Sequence, residues 1–138
     1  MSSADRDQQQ VGPVSRWSTL DRIVSMEVGK TATAVRNVPN TLAIFDSHFP
    51  RFNVLPGVLI LGSLGALASE LLERETGAPW HLAGAERVGF RHFVQPGDQL
   101  QLSVTLKNRS DAEAVLTGEA SVDGRVVTRA RKLRVVPR

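Results

Sequence analysis

The residues of this chain that could do chemistry are few, and they lie close together. His48-Phe49-Pro50-Arg51-Phe52-Asn53-Val54-Leu55-Pro56-Gly57-Val58-Leu59-Ile60 places an imidazole nine residues before a glycine, with Pro50 and Pro56 in between. Proline suits a first helical turn because its missing N–H has no intrahelical partner there, so Pro56-Gly57 predicts a helix start. The unpaired N–H groups of such a start, with the helix dipole, favour a developing negative charge such as a thioester enolate oxygen. An imidazole held opposite them would be the general base. Asp46, two residues before His48, lies on the same face if the segment is extended. It is a candidate for orienting the ring or for serving as an acid.

Elements are needed to hold these groups in place. From Pro56 to about Arg74 the chain is apolar on nearly every side, which predicts a helix buried all round. Gly77 and Pro79 supply its stop. Gly62, Gly65 or Ala66, and Ser69 form a stripe of small residues along it, where a strand can approach the axis closely. Ile23 to Val38 carries β-branched residues in the pattern of one bent strand or a hairpin. Further strands are expected near Ala83–Phe93, Gln99–Asn108, Ala112–Val122 and Arg125–Val136. Gln95-Pro96-Gly97-Asp98, Asn108–Asp111 and Asp123-Gly124 supply the turns, and Asp123-Gly124 is the strongest short hairpin signal in the chain. Thr41 to Pro50 reads as a short run after the Pro39 turn. One buried helix and five or six antiparallel strands give an α+β domain with a curved sheet around a helix. Residues 1–16 read as a flexible polar tail and residues 17–138 as one domain.

Two segments in this order resemble a known family. His48-Phe49-Pro50 followed by Pro56-Gly57-Val58-Leu59-Ile60, and downstream Val88-Gly89-Phe90-Arg91-His92-Phe93-Val94-Gln95-Pro96-Gly97-Asp98-Gln99-Leu100, are similar to the two signatures of the 3-hydroxyacyl-acyl carrier protein dehydratases. The resemblance covers roughly residues 20–136. It implies the hotdog fold, an antiparallel β-sheet wrapped around a long central α-helix. It implies His48 as catalytic base and the Gly57 backbone N–H as the donor that polarises the thioester carbonyl, with Phe49, Pro56 and Val58 against the substrate. It further implies a dimer with each site at the subunit boundary, a tunnel beside the helix for the acyl chain, and an acyl carrier protein as partner. The substrate rides on phosphopantetheine, and no cofactor or metal is called for.

The chain departs from that family at one position. Five residues after the helix-opening glycine the family carries Glu or Asp, the acid that helps the 3-hydroxyl leave; here the residue is Gly62. Leu61 and Ser63 do not replace it, and Glu70 lies ~12 Å farther along the helix at ~1.5 Å per residue. A general acid contributes ~10²–10⁴ in rate, so a homodimer is expected to be a poor dehydratase. An acid-bearing sister chain in a heterodimer could complete the site. The alternatives are a reaction that needs only His48 and the helix end, such as isomerisation or acyl thioester hydrolysis, and a non-catalytic partner subunit that binds acyl carrier.

Composition sets the outer limits. The chain has 138 residues, 41% of them hydrophobic and 22% charged, which suits one soluble globular domain in the cytoplasm. The pI of about 10.2 overstates the basicity. Seventeen Lys and Arg against 14 Asp and Glu leave only +3, and no Cys or Tyr titrates between the histidines and the lysines. Nucleic-acid binding therefore has no support beyond the pI. The absence of Cys excludes disulfides, thiolate metal sites and a cysteine nucleophile. No secretory signal is visible, and the apolar stretch from Val54 to Leu72 is broken by Pro56, three Gly, two Ser and Glu70, so no membrane span is expected.

The remaining polar residues read as structural. His81 and His92 have no partner spacing, and His92 is expected at a surface or interface. Trp17 and Trp80 are expected to pack near the ends of the sheet. Arg125, Arg129, Arg131, Lys132, Arg134 and Arg138 form a basic run that reads as a solvated strand face, with an acidic carrier as the alternative partner.

Overall fold

A computed structural model describes residues 20–38 and 57–138. Chain order is β1 (Arg22–Glu27), β2 (Thr31–Asn37), α1 (Gly57–Thr76), β3 (Trp80–Phe90), β4 (Gln99–Arg109), β5 (Ala114–Val122) and β6 (Arg125–Pro137). The six strands form one antiparallel sheet in the order β1-β2-β4-β5-β6-β3, with α1 packed on its inner face. This is the hotdog arrangement expected above.

Local chemistry explains the elements. The Ile23–Val38 stretch is a hairpin rather than one bent strand, because Gly29 turns it at φ 82°. Asp123 and Gly124 both take positive φ, 51° and 81°, as a two-residue hairpin turn between twisted strands requires. At the end of α1, Gly77 adopts φ 77° and its N–H donates to the Glu73 carbonyl at 2.8 Å, which satisfies one terminal acceptor.

Alternation places the core. Ala32, Ala34 and Arg36 of β2, Leu100, Leu102 and Val104 of β4, and Ala114, Leu116 and Ala120 of β5 all point inward and are buried. They meet Ile60, Leu64, Leu67, Ala68, Leu71 and Leu72 of α1. Gly65 of the small stripe faces β3, where an added Cβ would lie 2.9 Å from both Cβ and Cδ2 of Leu82. Gly118 does the same for β5 against Leu133, at 2.8 Å from its Cδ1. α1 is not buried all round, however: Val58 and Glu73 are exposed, and Gly62, Ala66, Ser69 and Glu70 are half-buried along one side.

β3 spans Trp80–Phe90 instead of 83–93. Trp80 pairs with Pro137 at the end of the sheet, and the Trp80 indole N–H donates to Thr76 Oγ1 at 2.9 Å. The Pro96-Gly97-Asp98 turn clamps the end of β2: Val38 N–H donates to the Asp98 carbonyl at 2.9 Å and Gly97 N–H to the Val38 carbonyl at 2.7 Å. Trp17 and the 1–16 tail lie outside the described residues.

Candidate active site

The helix expected at Pro56-Gly57 opens at Gly57, and its first turn contains no acidic side chain. Its terminal N–H groups and the positive end of its dipole are therefore not neutralised by a carboxylate of the helix itself. Phe90, the last residue of β3, lays its ring on this glycine. A Cβ at position 57 would come within 2.7 Å of the ring Cζ and 2.8 Å of Cδ1, so a side chain cannot be added there while the ring stays. The two sequence signatures thus meet in space: Gly57 belongs to the first, Phe90 to the second. Phe90 is 52% exposed and Val58 69%, so large apolar side chains stand in solvent at this end of the helix.

A groove of about 330 Å³ runs between α1 and β3, along the helix from Gly62 to Glu73. Gly65, Trp80 and Leu82 form its floor, and Gly62, Ala66 and Ser69 open its side. Gly62, where the family acid would stand, is part of this wall and offers only backbone. Glu70, Glu73, His81 and Arg138 make a polar rim at the far end. Glu70 is the first carboxylate of α1 after Gly57, ~20 Å away along the axis at ~1.5 Å per residue.

A buried charge flanks the first half of the helix. Arg36 of β2 is 3% exposed, and its Nη1 donates to Ser63 Oγ at 2.9 Å. Burial holds the guanidinium pKa below the ordinary arginine value, an effect partly offset by the Asp21 carboxylate. Sequence reading passed over this arginine, although its position two residues after Ala34 puts it on the inward face of β2. In the sequence Phe90 stands out only as part of a signature; its meeting with Gly57 depends on a pairing of elements far apart in the chain.

The other expected residues divide clearly. His48, Asp46, Phe49 and Pro56 lie outside the described residues. His92 is exposed, as expected, and His81 is exposed too. Of the basic run on β6, Arg129 pairs with Glu119 at 2.9 Å, Lys132 with Glu86 at 3.4 Å and Arg134 with Glu113 at 3.5 Å. These pairs are half-exposed and contribute modestly to stability, but they reduce the free positive charge of that face. Among the described residues no group of three His, Asp or Glu could hold a metal, and no helix is long and apolar enough to cross a membrane.

Known proteins fit this geometry. Residues 25–125 match the ApeI-like family, described as ApeI dehydratase. The chain is 40% identical over 114 residues to the 3-hydroxyacyl-[acyl-carrier-protein] dehydratase FabZ of Exiguobacterium sibiricum, covering 80% of this chain and 81% of that one. It is 39% identical over 111 residues to FabZ of Bacillus subtilis, covering 78% and 79%. Among solved structures, the dehydratase heterocomplex ApeI:P from Xenorhabdus doucetiae superposes with a TM-score of 0.64 at 22% identity, covering 83% of this chain and 96% of that one. AziG of S. sahachiroi superposes at 0.72 with 19% identity, covering 93% and 98%. At these identities the structural likenesses speak for the fold alone.

Proposed function

Since the chain belongs to the family of ApeI-like and FabZ 3-hydroxyacyl-[acyl-carrier-protein] dehydratases, we propose that it removes water from 3-hydroxyacyl thioesters carried by acyl carrier protein, in fatty acid or polyketide synthesis. The observation that carries this reading is the helix opened at Gly57 under Phe90, without a carboxylate in its first turn, in a chain 40% identical to such enzymes.

In the proposed reaction His48 takes the C2 proton. The electron pair moves into the thioester carbonyl, and the enolate oxygen is held by the Gly57 N–H and the positive end of α1. The enolate then re-forms the carbonyl, a C2–C3 double bond forms, and the C3–O bond breaks. The hydroxyl departs as water once a proton reaches it. Phe49, Pro56 and Val58 line the approach of the acyl-pantetheine arm. The reaction needs no metal and no cofactor beyond the pantetheine, and a cytoplasmic location fits it.

The proton for the leaving hydroxyl has no donor at Gly62. An acid-bearing sister chain is the source we favour, with Asp46 of this chain as the other. Dimerisation is supported by β3, an eleven-residue strand that is an edge of the sheet among the described residues and lies beside the groove, since long open edges invite pairing with a second chain. The ApeI:P neighbour is itself a heterocomplex. Acyl carrier would be drawn by Arg125, Arg131 and Arg138, the members of the β6 run without an ion pair among the described residues. A non-catalytic carrier-binding subunit is the second reading, favoured by the bare wall at Gly62. Thioester hydrolysis is disfavoured because α1 offers no carboxylate near its start to activate water.

The test is mass-spectrometric loss of one water from 3-hydroxybutyryl-pantetheine, with free thiol followed in parallel. His48→Ala is expected to abolish dehydration and leave the thermal midpoint unchanged, with no thiol released by either protein. Turnover that persists in His48→Ala would overturn the mechanism.

A further inference from the structure

Thr128 of β6 is fully buried, and among the described residues its hydroxyl has no hydrogen-bond partner. Buried hydroxyls without partners are uncommon in folded proteins and call for an explanation, because desolvating the group costs free energy that nothing returns. Thr128 pairs with Phe90 on one side and with Ala120 on the other. Partners across an antiparallel ladder project to the same face. Ala120 is fully buried on the face that carries α1, and the Phe90 ring lies on Gly57. The orphan hydroxyl therefore stands on the inner face beside the ring that covers the start of the helix.

We propose that the Thr128 hydroxyl is a second hydrogen-bond donor to the thioester oxygen at the start of α1, acting together with the Gly57 N–H. A carbonyl oxygen offers two lone pairs, and an enolate oxygen accepts both donors more strongly. The half-exposed Phe90 ring stands beside Thr128 and over Gly57, and an incoming thioester turns it outward and reaches both groups. The unsatisfied hydroxyl is then a cost held in the free enzyme and relieved as charge develops on the substrate. This inference rests on the proposed placement of the thioester at Gly57.

The experiment reads enolate formation alone. Butyryl-pantetheine has no 3-hydroxyl, so it cannot dehydrate and needs no acid; exchange of its C2 protons with deuterated water requires only the base and the oxygen-binding groups. Exchange is followed by mass spectrometry on the full chain, with Thr128→Val, Thr128→Ser and His48→Ala alongside, and thermal midpoints are recorded for each. The expected result is exchange that depends on His48, falls ~10²–10³-fold in Thr128→Val, as for loss of an oxyanion donor, and stays within about threefold of wild type in Thr128→Ser. The expected midpoint of Thr128→Val is equal to or above that of wild type, because valine keeps the shape and removes an unpaired polar atom. Unchanged exchange in Thr128→Val overturns the proposal while leaving the reading of the site intact. A Thr128→Val protein that unfolds or melts lower overturns it too, since the hydroxyl would then be structural. Absence of His48-dependent exchange in the wild type removes the placement of the thioester at Gly57, and this proposal with it.

Discussion

Arg36 and Ser63 join β2 to the second turn of α1 by one buried hydrogen bond of 2.9 Å between a guanidinium and a hydroxyl. Desolvation is the larger influence on Arg36, with Asp21 offsetting only part of it. Because burial lowers the folded-state pKa of this base, the unfolded chain holds the proton more tightly. Stability would rise with pH only between the lowered folded value and the ordinary arginine value. Across the neutral range the cost of the buried charge is constant. Arg36→Met, which keeps the apolar stem and removes the ion, is expected to raise stability by about 1 kcal/mol, measured by urea unfolding at pH 7. A loss of 2 kcal/mol or more would show that the bond to Ser63 outweighs desolvation.

Gly57→Ala places a methyl group into the Phe90 ring. The ring is half-exposed and can swing away, so unfolding stability is expected to fall by no more than about 1 kcal/mol. Dehydration is expected to drop at least ~10-fold, because the methyl obstructs the helix N–H groups that hold the enolate. Steady-state kinetics beside a thermal melt separates the two effects.

At Gly65 an added Cβ meets the Cβ of Leu82, an atom fixed by its own strand, as well as Cδ2. Gly65→Ala is expected to cost about 1–3 kcal/mol through overpacking, despite the ~1 kcal/mol by which alanine is the better helix former. Chemical denaturation would measure it; a stabilised variant would mean that β3 and α1 can separate freely.

Gly62→Glu returns a carboxyl group to the wall of the groove. If position 62 is where the acid acts, the isolated chain is expected to gain ~10²–10⁴ in dehydration rate, with KM changed less than kcat. No gain would place the acid elsewhere, with Asp46 the next residue to replace.

Much of this was legible in the sequence because it is local. Gly77 and Asp123-Gly124 need backbone angles that few other residues take, and Pro56-Gly57 announces the helix end wherever that helix packs. Boundaries set by partners were less legible. β3 begins at Trp80 because Pro137 lies opposite it, a pairing of residues at opposite ends of the second half of the chain. The basic run on β6 looked like free charge until Glu119, Glu86 and Glu113, spread over two other strands and a loop, were brought beside it.

The sequence by itself determined the elements, their order, the family and the bare position at Gly62, because these depend on residue type and spacing along one chain. Only the tertiary structure decided that Phe90 closes over Gly57, that Arg36 is buried against Ser63, and that Thr128 has no partner among the described residues. Each of these depends on which residues the sheet register sets opposite one another, and register is settled by packing across the whole core.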